Sequence, residues 1–375
     1  MSLTSLIKEY ALSLGYARVG ITSAETFRKH LEVLNGRRGA YGFHLADARN
    51  PLAGAAPKTL MPSAKSIVSL AFDYARTAFP DSLLRCIGRI YLARCYSPPS
   101  GTLNGSRHAL MRAFLEKNGC MAGDGIFLPE RWCAARSGIA FFGRNNFAYA
   151  KGIGSFIALS SFAVDKELDY DAPSGDPPCP PDCDRCIRAC PTGALEPFRL
   201  NPRKCLAFNA WRTQDGLPHC SSRIPPEIRH LMGTRIHGCD LCQEACPRNG
   251  AKLRAAFPED PFLELIARDF SLPRLLNMTD GFFETRVRPI MYNYIKDPRY
   301  FRRNAAVALG NLRDPRHIPD LAIALRDPDE LIRSSAAWAL GRIGGRGAQP
   351  FLEQAAARES SASALSEIRE ALAAC

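Results

Sequence analysis

Eight cysteines between residues 179 and 246 carry the densest chemistry in the chain. Cys179, Cys183, Cys186 and Cys190 form one group, closed by Pro191. Cys239, Cys242 and Cys246 form another, closed by Pro247, and Cys205 stands between them. Spacings of the C-x2-C-x3-C-P kind suit cubane [4Fe–4S] clusters. A short loop delivers two or three thiolates to one face, and a further cysteine, followed by proline, reaches a different cluster. Eight ligands are enough for two clusters of four. Zinc ribbons also pair C-x2-C units across a wide gap, but zinc has no need of the C-x3-C-P tail, which occurs here twice. A disulfide framework suits a short secreted chain, not one of 375 residues.

A chain of this length calls for two or three domains. Its 46% hydrophobic and 23% charged content is that of a folded soluble protein. The first ten residues read as an amphipathic helix, with neither the apolar core nor the cleavage site of a signal peptide. No run of 18 apolar residues appears, so no membrane partner is expected. Fourteen cysteines point to a reducing cytoplasm. The six outside the clusters (Cys86, Cys95, Cys120, Cys133, Cys220 and Cys375) read mostly as small buried apolar residues.

Three domains must position the cysteines. Residues 1–170 alternate strands (Tyr16–Ile21, Ala64–Tyr74, Ser155–Val164) with helices (Arg107–Asn118, Leu128–Arg136), the pattern of a layered α/β domain. A polar, proline-rich join at 169–178 opens a ferredoxin-like unit over 171–255, which carries its own helical piece at Pro225–Met232. Residues 256–375 are helical and repeat: Ala305 falls on Ala336, a period of 31. Each copy is followed by a polar turn and a second apolar helix, Ile318–Leu325 and Gln349–Ala356. Helix pairs stacked at a fixed period make a solenoid, and this period is short beside the roughly 40 of HEAT repeats, so the tail is HEAT-like. Its edges carry Arg302, Arg303, Arg313, Arg316, His317, Arg326, Arg333 and Arg342. With 49 Lys+Arg against 37 Asp+Glu, a net +12, these point to contact with RNA phosphates.

Six pieces in order resemble the epoxyqueuosine reductase family, cobalamin-dependent iron–sulfur enzymes of tRNA queuosine biosynthesis related to reductive dehalogenases. They are DGIFLPER (124–131), ARSGIAFFGRN (135–145), Gly154-Ser155, CIRACPTG (186–193), GCDLCQ (238–243) and RNAAVALGN (303–311). The resemblance implies a multidomain α+β or α/β chain: an N-terminal cobalamin-binding catalytic domain, a ferredoxin-like two-cluster domain and a HEAT-like tail. It implies that the chain reduces epoxyqueuosine to queuosine in a tRNA anticodon stem-loop. Electrons from an external low-potential donor would pass the two [4Fe–4S] clusters to base-off cobalamin.

Residue roles follow from the same resemblance. Asp124, six residues before Glu130, is the proton donor to the departing epoxide oxygen, a task for a carboxyl whose pKa an apolar pocket has raised. Asn145, Ser155 and Asp240 stand at positions near the corrin. Cys179, Cys183, Cys186 and Cys246 hold one cluster; Cys190, Cys205, Cys239 and Cys242 hold the other. The chain also departs from the family: three residues rather than two separate Cys179 from Cys183, which calls for a bulged loop. The runs after Cys205 and around Arg94–Ser100 differ as well, as does Arg144 at a lysine position. Reduction of a small molecule, as in dehalogenation, is one alternative, and a non-catalytic electron-transfer protein is another.

Overall fold

The protein is described here by a computed structural model, covering residues 1–45, 51–95, 103–123, 127–174, 179–210, 222–291 and 297–375. Asp124, Cys220 and the stretches 96–102 and 211–221 lie outside the described residues. In the first domain the strands are β1 (Arg18–Ser23), β2 (Ser66–Asp73), two short ones, β3 (Phe141–Phe142) and β4 (Ala148–Tyr149), and β5 (Ile157–Val164). The three long strands are those expected. They form one sheet in the order β1-β2-β5, antiparallel throughout, with Val68 opposite Ile21 on one side and Phe162 on the other. The chain is therefore of mixed α+β class.

The period-two alternation of β2 explains the layers. Val68 and Leu70 face helices α1 (Leu3–Ser13) and α2 (Leu103–Lys117), packing with Ile7, Ala11, Met111 and Leu115. Ile67 and Ala71 face the opposite way, towards Cys133 and Ala134 of α3 (Glu130–Arg136). Each of the larger aliphatic side chains so buried contributes about 1.5–3 kcal/mol. Ser2 caps α1, its hydroxyl accepting from the Ser5 N–H at 3.2 Å.

The tail is a stack of helices: α4 (Pro298–Leu312), α5 (Ile318–Ala324), α6 (Glu330–Ile343), α7 (Gln349–Arg358) and α8 (Ala362–Ala373). Asp297, Asp329 and Ser361 cap α4, α6 and α8 with their side-chain oxygens, which sets the repeat's starting points. Glycine sets the helix spacing. A Cβ on Gly310 would lie 2.7 Å from Ala339 Cα, and one on Gly341 would lie 2.7 Å from Ala371 Cα. Alanine inside a helix normally gains about 0.5–1 kcal/mol over glycine. Here the obstacle is backbone, so overpacking at about 1–3 kcal/mol outweighs that gain. Gly310→Ala should therefore lower the melting temperature, read by circular dichroism; an unchanged or raised melting temperature would show that the helices can move apart freely.

Five of the eight basic residues read as repeat-edge phosphate contacts are engaged within the protein, among them His317, whose Nδ1 lies 3.6 Å from Asp320 Oδ2. Arg303 is 1% exposed, and its guanidinium donates to the carbonyls of Ser222, Asn209 and Ala210. Periodicity alone does not reveal that residues 222–233 dock on this helix face, where the Asn311 amide also donates to the Arg229 and Gly233 carbonyls. Arg302 pairs with Asp327, Arg333 with Glu359 and Arg316 with Asp314. Arg313 and Arg326 are exposed, and the guanidinium of Arg342 is destabilised by burial and by Arg313 beside it. Among the described residues no helix is long and apolar enough to cross a membrane.

Candidate metal centre and catalytic site

The two cysteine loops are built alike. Asp184 and Asp240 each precede a single helical turn, Arg185–Arg188 and Leu241–Glu244, and each turn ends before a Cys-Pro pair. The turn exposes its first cysteine inward and hands the chain on, so Cys190 and Cys246 depart from the loops in which they lie. The thiols fall into two neighbourhoods. Cys186 is pushed up by burial first, then by Cys246, Cys179 and Cys183 beside it. Cys242 is pushed well up by burial, then by Cys239, Cys205, Asp240 and Cys190. Cys205 is raised by burial and by Cys190, and Cys239 is raised to about 11 by burial, with Cys205 adding to it. The additional residue after Cys179 is taken up by a turn in which the Cys183 N–H donates to the Pro180 carbonyl at 3.1 Å.

These surroundings suit iron–sulfur clusters. Buried thiolates that repel one another require positive charge among them. A cubane binds its four thiolates to separate irons at its corners. Main-chain donors are also in place: the Ala194 N–H reaches Cys190 Sγ at 3.3 Å.

Asn145, Ser155 and Asp240 are all buried, and their hydrogen bonds link the first domain to the Cys239–Cys246 loop. The Asn145 amide donates to Tyr149 Oη at 2.8 Å and to the Cys242 carbonyl at 3.1 Å. Ser155 Oγ donates to Gln243 Oε1 at 2.9 Å, and Gln243 Nε2 donates to Asp240 Oδ1 at 3.2 Å. Asn249 closes the circuit, donating to Ser155 Oγ and the Gln243 carbonyl while accepting from the Ser155 N–H. Gly154, at φ +91°, leaves room for it: a Cβ there would lie 2.1 Å from Asn249 Oδ1. Asp240 accepts from the Arg89 backbone N–H at 2.8 Å and from its guanidinium at 3.2 Å. Burial raises the Asp240 carboxyl, and Arg89 draws it back. A Lys252–Asp73 ion pair ties the same two domains, and an Arg94–Asp260 pair ties the first domain to the start of the helical tail.

Tyr149, Gln243 and Asn249 carry no sequence signal of their own, since their partners lie up to about a hundred residues away. Near the segment that bears Asp124, Phe127 and Phe147 are exposed, and an Arg131 hydrogen bond to the Asn146 carbonyl ties their strands of chain together. Glu130 is open to solvent, yet the protein around it pushes its carboxyl up to about 8 by desolvation, with Arg131 pulling the other way.

Residues 179–249 match the 4Fe-4S double cluster binding domain, and 290–373 match HEAT repeats. The epoxyqueuosine reductase of Bacillus subtilis is 31% identical, the alignment covering 97% of this chain and 94% of that one. The chain belongs to the epoxyqueuosine reductase family. Two solved family members superpose over 99% of this chain and 98% of their own. One, from Bacillus subtilis, has a catalytic aspartate loop swung out of its active site (TM-score 0.82, 28% identity). The other carries an epoxyqueuosine-modified tRNA stem loop (TM-score 0.83, 29% identity). The family's double-cluster domain covers all eight cysteines, so this chain holds [4Fe–4S] clusters.

Proposed function

We propose that this protein reduces epoxyqueuosine to queuosine in tRNA. What carries the reading is its end-to-end likeness to a family member bound to an epoxyqueuosine-modified stem loop. Cys179, Cys183, Cys186 and Cys246 hold one cluster and Cys190, Cys205, Cys239 and Cys242 the other, in keeping with the two thiol neighbourhoods. An external low-potential donor supplies the electrons.

The exposed Phe127 and Phe147 offer an apolar face that a corrin can cover. Asn145, Ser155 and Asp240 stiffen the wall behind it. Cobalamin bound there in its base-off form supplies a reduced cobalt centre for opening the epoxide. Asp124 holds the proton that the departing oxygen requires, and the Glu130 environment is one in which a carboxyl stays protonated near neutral pH. The tRNA phosphates meet the exposed Arg313 and Arg326, with Arg342 beside Arg313.

The test is anaerobic incubation of cluster-loaded, cobalamin-loaded protein with a reductant and epoxyqueuosine-tRNA. Nucleoside mass spectrometry should find queuosine. Its absence from a sample with full iron and a corrinoid spectrum would remove the substrate assignment.

A further inference from the structure

We propose that Phe198 is a stacking platform for a base of the anticodon loop, set on a hairpin whose basic side meets the neighbouring phosphates. The inference rests on tRNA being the substrate, as the preceding reading has it. Two short strands, Leu195–Glu196 and Arg199–Leu200, pair with Glu196 opposite Arg199, so Pro197 and Phe198 alone make the turn. Phe198 stands at φ +60°. That left-handed region suits glycine or asparagine, and a bulky side chain there is strained.

Packing does not account for the ring. It is 43% exposed and joins none of the buried apolar clusters formed by the described residues. The hairpin is held by its backbone instead. The Phe198 N–H donates to the Arg144 carbonyl at 2.8 Å, and the Asn201 N–H donates to the Ala194 carbonyl at 2.8 Å. Glycine at the turn would keep both bonds and remove the strain. Strain kept on an exposed side chain marks a contact made outside the chain. The ring is also presented in a fixed setting: the Arg144 guanidinium lies 5.9 Å from its centre and donates to the Pro181 carbonyl at 2.9 Å.

The surroundings point to RNA as that partner. Arg199, Arg203 and Lys204, all exposed, line a cleft beside the hairpin, with Glu196 among them, 3.6 Å from Arg199. Three cations against one carboxylate leave the cleft positive. An aromatic face for a base beside Lys and Arg for the phosphates is how unpaired RNA is held. The hairpin also stands at the right place. Arg144 belongs to the turn in which the Gly143 N–H donates to the Phe147 carbonyl, and Phe147 offers the apolar face assigned to the corrin. A loop whose modified base reaches that face passes Phe198.

The experiment compares Phe198→Tyr, Phe198→Ala and Phe198→Gly in the full-length, cluster-loaded protein. Fluorescence anisotropy with an unmodified anticodon stem-loop reads affinity, and an epoxyqueuosine-modified stem-loop reads turnover. Tyrosine keeps a stacking face and should bind as the unsubstituted protein does. Alanine and glycine should bind about 5–100-fold more weakly, the usual loss of one stacked base. That loss should fall on KM rather than on the rate at saturating RNA. Glycine should at the same time hold or raise the melting temperature. A lowered melting temperature for Phe198→Gly would show that the ring serves the fold, and overturns the inference. Unchanged stem-loop affinity in the alanine and glycine variants overturns it too; if reduction of the clusters by an acidic one-electron carrier protein slows instead, the hairpin belongs to electron entry. An unsubstituted protein with full iron and a corrinoid spectrum that binds no stem-loop overturns the tRNA reading and the inference with it.

Discussion

Asp124→Asn should fold normally, hold its full complement of iron and bind corrinoid, yet form queuosine about 10²–10⁴-fold more slowly, the usual contribution of a positioned proton donor. Asparagine matches the carboxyl in size and polarity, so packing changes little. What it lacks is an acidic proton for the oxygen that leaves the opened ring. The loss should fall on kcat under single-turnover conditions, with tRNA affinity nearly unchanged, because the substitution removes something needed in the transition state rather than in the bound complex. Activity within a few-fold of the unsubstituted protein would assign the proton elsewhere. Glu130, whose carboxyl is pushed up to about 8, is then the group to test next.

How much of this could be read beforehand depended on range. The cysteine loops were legible because their chemistry is local and strict: few residue types bind iron, and the spacing of a single turn fixes which thiols share a face. The long strands and the HEAT-like helices were legible for a similar reason, through periods of two and of 31 residues. Pairing direction was not. Alternating strands and helices do not say whether a three-stranded sheet runs antiparallel, and here it does.

Range also decided the errors of role. Arg303 sits on a helix within a basic stretch and looked like a phosphate contact. It is buried because a segment some eighty residues earlier brings the Ser222 carbonyl onto its guanidinium. Asn145, Ser155 and Asp240 were marked one by one as corrin neighbours. The structure adds that Ser155 and Asp240 are joined through Gln243 and Asn249 into one buried circuit, while Asn145 holds Tyr149 and the adjoining Cys242 carbonyl. None of those three carried a signal, since an isolated Tyr, Gln or Asn says nothing until its partner is known. A buried network of this kind is costly if any member is lost, because the remaining groups stay unpaired. Its position suggests why it is complete: it fixes the cysteine loops against the domain that bears Asp124.

The crossed arrangement proposed for the two clusters makes the second large prediction, and pairs of substitutions test it better than single ones. A single substitution takes a ligand from one cluster under either arrangement, so single variants do not tell the two arrangements apart. Cys190→Ala with Cys239→Ala removes two thiolates from one neighbourhood, where Cys242 is influenced by both. That protein should keep half of its iron, in the cluster held by Cys179, Cys183, Cys186 and Cys246. Cys186→Ala with Cys190→Ala removes two cysteines only four residues apart, but one from each neighbourhood. This second protein should lose nearly all of its iron and, with it, much of the stability of residues 179–249, because cluster binding supplies folding free energy to such loops. Both should be inactive in queuosine formation. An uncrossed arrangement, with each loop closing on its own cysteines, predicts the reverse: iron abolished by the distant pair and halved by the adjacent one. Iron analysis after anaerobic reconstitution separates the two outcomes without assigning any spectrum.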